Sequence, residues 1–426
     1  VKTNSSPNAP FSWVAYLFAA ASVLSVEAAE LTHFGARVEA TYGAALARGI
    51  EQRDLESALE LNLSAELELS DVLDVVVSSR LRLDGEQEYV DPGNSFDSYS
   101  HVSRTVGIGE AGYVDLDDAY VQLSFDDAVL RFGKQQIVWG ALDGLKVTDV
   151  LNPQRFREFI LEPFAESRIS TFSAYGDVSV GNWRVELAWL PDETTHDFAE
   201  NGDWFAFTAP RFRLGASADS GAVAGNGGTP LVTGRPEPEL ERGAVRLTRE
   251  LGGTTLSLIA AETLDFEPVL QLVSAGSLTD SAILERNYHS LRLYGLTAET
   301  AVGPFALRAE AAVRPNRHFN VTGAGGVATR RFDQWTTAIA ADINGPLGTF
   351  INLQYLYDKV EGLEALQQTS ATLVRPEEDR IITAFVRKQF LYDTLTVDLR
   401  WYSDRSEKDA LYRADVSYDF GDNTTL

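Results

Sequence analysis

From about residue 30 onward the chain alternates apolar and polar residues in short runs. In LYRADVSYDF, Tyr412, Ala414, Val416, Tyr418 and Phe420 share one parity, while Arg413, Asp415, Ser417 and Asp419 share the other. Leu395, Val397, Leu399 and Trp401 alternate with Thr396, Asp398 and Arg400. Trp183, Val185, Leu187 and Trp189 alternate with Arg184, Glu186 and Ala188, and FALRAEAAVR sets Arg308, Glu310 and Arg314 on its polar side. Side chains of a strand point alternately to its two faces, so each run predicts a strand with one apolar and one charged face. Strands are expected to start near His33, Leu55, Leu73, Asp115, Ala128, Ser170, Trp183 and Arg242. A second set starts near Thr254, Tyr288, Phe305, Gln334, Thr349, Arg380, Thr394 and Ala410. That is about sixteen strands, within a range of about fourteen to eighteen.

A secreted soluble sandwich could use such strands, with the charged face in water. Three features favour an all-β fold of another kind, a transmembrane antiparallel β-barrel. The runs have the length of a tilted bilayer crossing. Trp and Tyr recur near the ends of the apolar faces, as in interfacial girdles. The connections alternate between tight ones, such as NGP at 344–346, and long polar ones near 86–113, 194–240, 266–286 and 315–332. A charge facing lipid at mid-bilayer costs about 2–4 kcal/mol in a barrel. Arg184, Glu186, Arg308, Glu310, Arg314, Asp398, Arg400, Arg413 and Asp415 are therefore expected to face the lumen. A lumen lined by both signs is wet, and a wet barrel of this size implies a pore.

Composition narrows the partners. The 426 residues are 44% hydrophobic with a formal net charge of -26, which argues against nucleic acid as a partner. There is no cysteine, so disulfides, thiolate chemistry and Cys-ligated metals are excluded. At the N-terminus Lys2 precedes the apolar run FSWVAYLFAAASVLSV and small residues at 28–29. This pattern predicts a signal peptide over 1–29, with a short membrane anchor as the alternative, and a barrel over 30–426. The expected location is the bacterial outer membrane, reached through the periplasm.

Motifs with catalytic or metal-binding associations are weak. GIGEAG (107–112) matches a dinucleotide fingerprint, but a strand-like run follows it in place of a helix. Asp115, Asp117, Asp118, Asp126 and Asp127 could offer oxygens to calcium, yet their spacing misses an EF-hand loop. His33, His101, His196, His289 and His318 form no metal-binding pair, and only His196 has carboxylates nearby in sequence. No catalytic residue, metal site or cofactor is expected, and the chain is not expected to be an enzyme.

One stretch breaks the pattern. In LRFGKQQIVWG the apolar parity changes between Phe132 and Ile137, which a β-bulge at Gly133 would absorb, keeping Ile137 and Trp139 toward lipid. The alternative is that the strand ends at Phe132. Asn152 followed by Pro153 reads as a helix N-cap and first turn, with Phe156, Phe159 and Ile160 on one face. Residues 141–168 would then either fold into the lumen as a constriction or cap the barrel from outside. Candidate constriction residues are Arg131, Lys134, Gln136, Arg155, Arg157 and Glu158, and their basic character hints at an anionic solute.

The same region carries a resemblance. GKQQIVWG (133–140), VTDVLNPQ (147–154) and WLPD (189–192) resemble a family of proteobacterial outer-membrane proteins designated DUF1302, closely over 115–200 and at the level of strand pattern elsewhere. The resemblance implies a large barrel, with members often associated with export of lipids or other hydrophobic compounds. It implies no catalytic residues. Two functions follow as expectations: a porin-like channel for passive or gated passage of small solutes, or an outer-membrane partner of an exporter for hydrophobic compounds. The partners expected are outer-membrane lipid, a small-molecule solute and, in the second case, an export system; the pattern does not encode an oligomeric state.

Overall fold

The computed structural model describes residues 30–44, 54–84, 98–108, 112–157, 166–198, 231–233, 241–274, 283–323, 326–367 and 371–420. The expected signal peptide and Glu158 lie outside them. Sixteen strands form one continuous wall: β1 (Glu30–Ala44), β2 (Asp54–Ser70), β3 (Leu73–Asp84), β4 (Gly112–Phe125), β5 (Ala128–Gln135), β6 (Thr171–Val180), β7 (Trp183–Trp189) and β8 (Gly243–Leu251). They continue as β9 (Thr254–Leu264), β10 (Ser290–Val302), β11 (Phe305–Gly323), β12 (Gly326–Gly345), β13 (Thr349–Glu361), β14 (Glu378–Phe390), β15 (Leu395–Asp404) and β16 (Asp409–Tyr418). Each pairs antiparallel with its neighbours in chain order. No pairing between β1 and β16 occurs among the described residues, so the seam of the barrel is open there.

Tight connections lie at one end of the wall, after β2, β4, β6, β8, β10, β12 and β14, at the end where β1 starts and β16 stops. Gly303, between β10 and β11, takes a φ of 61°, a left-handed value that glycine adopts without steric cost. The long connections lie at the opposite end, as expected of periplasmic turns and external loops in an outer-membrane barrel.

The alternation of the sequence becomes an outside and an inside. Leu130, Phe132, Leu187, Leu258, Tyr294, Leu296, Trp335, Ile339, Leu353, Leu399 and Tyr412 are exposed on the outer face. Arg80, Arg82, Glu186, Glu310, Arg314, Gln334, Thr336, Gln354, Asp358 and Asp398 are buried on the inner one. A surface that is apolar outward and charged inward is satisfied in hydrocarbon and in no aqueous setting.

The structure departs from the sequence expectations at three places. Pairing runs without a shift through Gly133 to Lys134 on both sides of β5, and on to Gln135 on the β6 side, so no bulge sits at Gly133. The extra residue is on the neighbouring strand, where Ser78 pairs with Asp118 and Arg80 with Asp115. Gly133 is instead a point of close approach: a Cβ there would collide with the Ala119 carbonyl oxygen. Ile137 and Trp139 do not face lipid, because the chain leaves the wall after Gln135 and turns inward. Second, no helix follows Asn152 in the described part. Arg155–Phe156 form a short strand, parallel to Asp197–Phe198. Third, 315–332 is not a loop. β11 bulges between Arg314 and Arg317, where Pro315 has no N–H to give to the ladder, and then continues as an extended hairpin with β12. Phe319, Val321, Phe332, Val360 and Leu366 form a small core over it, the last from a short helix at Glu364–Gln367.

Candidate functional site: an inward segment seated on the lumen wall

The connection between β5 and β6 enters the barrel from the long-loop end. Its neck is closed by Asn152. The Asn152 side chain accepts a hydrogen bond from the Ile137 amide at 2.7 Å and donates to the carbonyls of Gln135 (3.3 Å) and Ile169 (3.0 Å). The residue that sequence pattern marks as a helix cap thus ties the two legs of an excursion together, using the same capacity to mimic backbone groups.

Beyond the neck, 137–151 crosses the lumen to β10–β13. Glu310, on β11, receives it. Its carboxylate accepts from the amides of Leu142 (3.1 Å) and Thr148 (2.9 Å), from the Thr148 hydroxyl (2.8 Å), and from the Ala141 amide. Around this hub, Arg314 donates to the Val147 carbonyl (2.6 Å) and Arg308 to that of Ala141 (2.6 Å). Gln354 accepts from the Asp143 amide (3.2 Å) and donates to its carbonyl (2.6 Å). Arg308 also pairs with Asp143 at 2.7 Å and with Asp342 at 2.6 Å. Arg308 is the fourth residue of β11, so the tip of the segment reaches to about 10 Å along the strand from the tight-turn end.

Apolar contacts fill the space between segment and wall. Ile137, Trp139, Leu142, Leu145, Val147 and Leu151 pack against Ile259, Leu293, Ala312, Ala338, Ala340 and Leu356, inner-face residues of β9 to β13. The approach is close enough that a Cβ would crowd side-chain atoms of the segment at two positions. A Cβ on Gly295 would sit 2.8 Å from Thr148 Cγ2, and one on Gly140 would sit 2.7 Å from Asp149 Cβ.

The basic candidates do not form one free cluster. Lys134 (3.0 Å) and Arg155 (2.8 Å) converge on Asp115, all three buried. Arg157 pairs with Asp197 at 2.9 Å. Arg131 stands apart, donating to Gln122 at 2.8 Å beside the rings of Tyr120 and Tyr175. Gln136 donates to the Arg168 carbonyl at 3.4 Å. Buried cations with carboxylate partners are structural ties, and a solute meets little of their charge. Asp115, one of the carboxylates with oxygens that calcium could use, is occupied by these two cations. His196 is partly buried between Phe156, Phe198 and Phe266 and accepts from the Gln154 amide at 2.8 Å. Burial first, then nearby Lys146, pushes its pKa down to about 3, so it is a neutral packing and acceptor group.

Of the other charged positions, Glu186 receives Arg246 (2.5 Å) and the Tyr175 hydroxyl (2.7 Å), and Arg184 pairs with Asp177 at 2.5 Å. On β14 to β16, Asp398 holds Arg387 through two bonds of 2.8 and 2.7 Å and lies 3.5 Å from Arg400. Asp415 pairs with Arg400 at 2.7 Å and with Arg413 at 2.8 Å. Sequence reasoning missed the roles of Asn152 and Asp115 and the hub role of Glu310. It also missed the apolar inner faces, although Ile259, Leu293, Ala338 and Ala340 occupy inner-parity positions where charge would be expected.

Fold and interior together define a large membrane-spanning β-barrel whose lumen is partly filled by one of its own loops. The family model described as "Protein of unknown function (DUF1302)" matches residues 85–420, and the chain belongs to that family. A comparison with curated proteins found no match. Among solved structures, the chain is similar to OmpT, an outer membrane protein of Vibrio cholerae, in its trimer form (10% identity, 94% of each chain covered, TM-score 0.45). It is also similar to OccK8 (OprE) of Pseudomonas aeruginosa, at 10% identity with 94% of this chain and 91% of that one covered and a TM-score of 0.47. The outer membrane channel DcaP of Acinetobacter baumannii matches at 9% identity, with 91% and 94% covered and a TM-score of 0.42.

Proposed function

We propose that the protein is a bacterial outer-membrane channel for small solutes, with the inward segment 137–151 as its constriction. The observation that carries this reading is the seat at Glu310. One buried carboxylate accepts four bonds from a loop that has crossed the barrel, fixing that loop as a narrowing. Such a hub uses charge-assisted bonds, roughly twice as strong as neutral ones, and pairs three amides of the segment at once. The neighbouring sector, β14 to β16, keeps half-exposed charged side chains at the level of the loop tip, as a water-filled passage requires.

Ion conductance of the refolded protein in a planar bilayer tests the proposal. The intact protein should give small stepwise currents, and a variant with Ala141–Val147 replaced by a short Gly-Ser linker should give larger ones. Silence from both sinks the channel.

A second reading is supported by the apolar cluster around Trp139 and Leu293: the interior would hand a hydrophobic compound across the membrane in partnership with an exporter. It predicts no steady ion current and saturable uptake of an apolar fluorescent probe by the detergent-solubilised protein.

A further inference from the structure

Where the inward segment stops, the inner face of β14 to β16 begins. Ile381 and Tyr402 still pack against the segment's apolar cluster. Further toward the tight-turn end, Phe385, Arg387, Asp398, Arg400, Arg413 and Asp415 share the inner face. Their register is fixed: Arg387 opposes Asp398, which opposes Asp415, and Phe385 opposes Arg400, which opposes Arg413. Arg387 is three residues from the tight-turn end of β14 and Arg308 three from that of β11, and β14 adjoins β13, so the strip lies beside the tip of the segment at a similar depth along the wall.

The arrangement of the charges within the strip is asymmetric. Asp398 is only 9% exposed, whereas the guanidiniums it holds, Arg387 and Arg400, are 46% and 43% exposed. Among the described residues Arg387, Arg400 and Arg413 pair with Asp398 and Asp415, and the strip shows guanidiniums to the passage while keeping its most buried anion behind them. The ion pairs use Nε and Nη2 of Arg387 for Asp398, a part of the five donors a guanidinium carries. Both guanidiniums also lie against the same ring, 5.5 Å (Arg387) and 5.1 Å (Arg400) from the centroid of Phe385. Phe350 stands 6.0 Å from that ring, edge on. Guanidinium beside aromatic surface is the chemistry that takes up a carboxylate attached to a flat apolar group.

We propose that this strip is a binding track for small aromatic carboxylates passing the constriction, with Arg387 and Arg400 taking the carboxylate and Phe385 the ring. The inference rests on the channel reading and deepens it by naming the solute class. It also relocates the basic signal of the sequence, since Lys134 and Arg155 are buried against Asp115.

Planar-bilayer recordings in a KCl gradient, followed by titration with benzoate, test it. If neither the intact protein nor the linker variant conducts, the channel reading itself has failed. With conductance present, the track predicts a reversal potential of anion selectivity and a concentration-dependent current block by benzoate that exceeds the block by acetate. Arg400→Gln and Arg387→Gln should each weaken benzoate block by roughly tenfold, and Arg400→Lys should restore the selectivity but not the preference for benzoate over acetate. Arg292→Gln removes an equal charge from an outward-parity position, paired with Glu262 at 3.3 Å, and should change neither readout. A cation-selective current, or equal block in wild type and both Gln variants, overturns the track while leaving the channel standing.

Discussion

The lumen has two unlike walls. From β9 to β13 the inner face mixes apolar residues with buried polar groups, of which Glu310, Arg314 and Gln354 each have a partner on the inward segment. From β14 to β16 the inner face carries half-exposed guanidiniums whose partners lie within the wall itself. The first wall is built like a protein core, where an unpaired polar group costs its full desolvation. The second is built like a solvated surface, where ion pairs contribute little to stability and are free to meet a solute. The same strand pattern, charged inside and apolar outside, therefore serves two purposes within one barrel. What separates them is whether the charges close on the plug or on each other.

Substitutions should affect the two walls differently, with the largest effects in the filled one. Glu310→Ala removes the acceptor for three amides and a hydroxyl; breaking a buried, charge-assisted hub of this kind costs about 3–5 kcal/mol. The segment should leave its seat, visible as larger single-channel conductance and new protease cleavage within 140–148. Asp115→Asn leaves Lys134 and Arg155 buried with too little negative charge, an expected loss of about 3 kcal/mol. Urea unfolding followed by tryptophan fluorescence should show the loss, with ion selectivity unchanged.

Acid should act through His196. Its folded pKa of about 3 lies below the ordinary value of 6.5, so the unfolded chain binds a proton that the folded chain refuses between those limits. The stability this neutral imidazole confers is complete above pH 6.5 and is lost as pH falls toward 3. At pH 5 the cost is about 2 kcal/mol, from 1.36 kcal/mol per pH unit over the interval below 6.5. Urea midpoints at pH 7 and pH 5 should differ, and His196→Gln should shrink that difference. In the open wall the order reverses. Arg400→Gln should alter stability by less than about 1 kcal/mol yet change selectivity more than any variant of the filled wall. A large loss of stability there would mean that β14 to β16 is also a packed wall.

The wall was legible in the sequence because strand parity and burial in a bilayer are one constraint. Each expected start falls within a few residues of the start of one of the sixteen strands, the exception being β12, which begins at Gly326 ahead of Gln334. The tight turn at Gly345–Thr349 is local chemistry and was equally visible. Whether 141–168 enters the lumen or caps the barrel was not, because the segment's hydrogen-bonding partners on the wall are 162 to 211 residues away in the chain. Asn152–Pro153 carries a local signature of a helix start, and a long-range need, closing the neck, overrode it. The parity change after Phe132 marked a departure from the wall, which local pattern alone could not tell from a bulge. The basic residues of that stretch drew attention as charges, whereas their partner Asp115 lies on another strand.

Residues 140–148 sit inside the barrel against β10 and β11, and a pair of introduced thiols tests this placement. The chain has no cysteine, so a pair introduced as Thr148→Cys and Gly295→Cys would be the only two thiols. A Cβ on Gly295 lies 2.8 Å from Thr148 Cγ2, which places the two side chains within reach of a disulfide. Mild oxidation of the folded double variant should close an intramolecular bond, seen as a faster, reductant-sensitive band after unfolding and as protection from maleimide. If both thiols stay free and the one introduced at position 148 reacts readily with a bulky maleimide in the folded protein, the segment is an external cap and the account of the constriction is wrong.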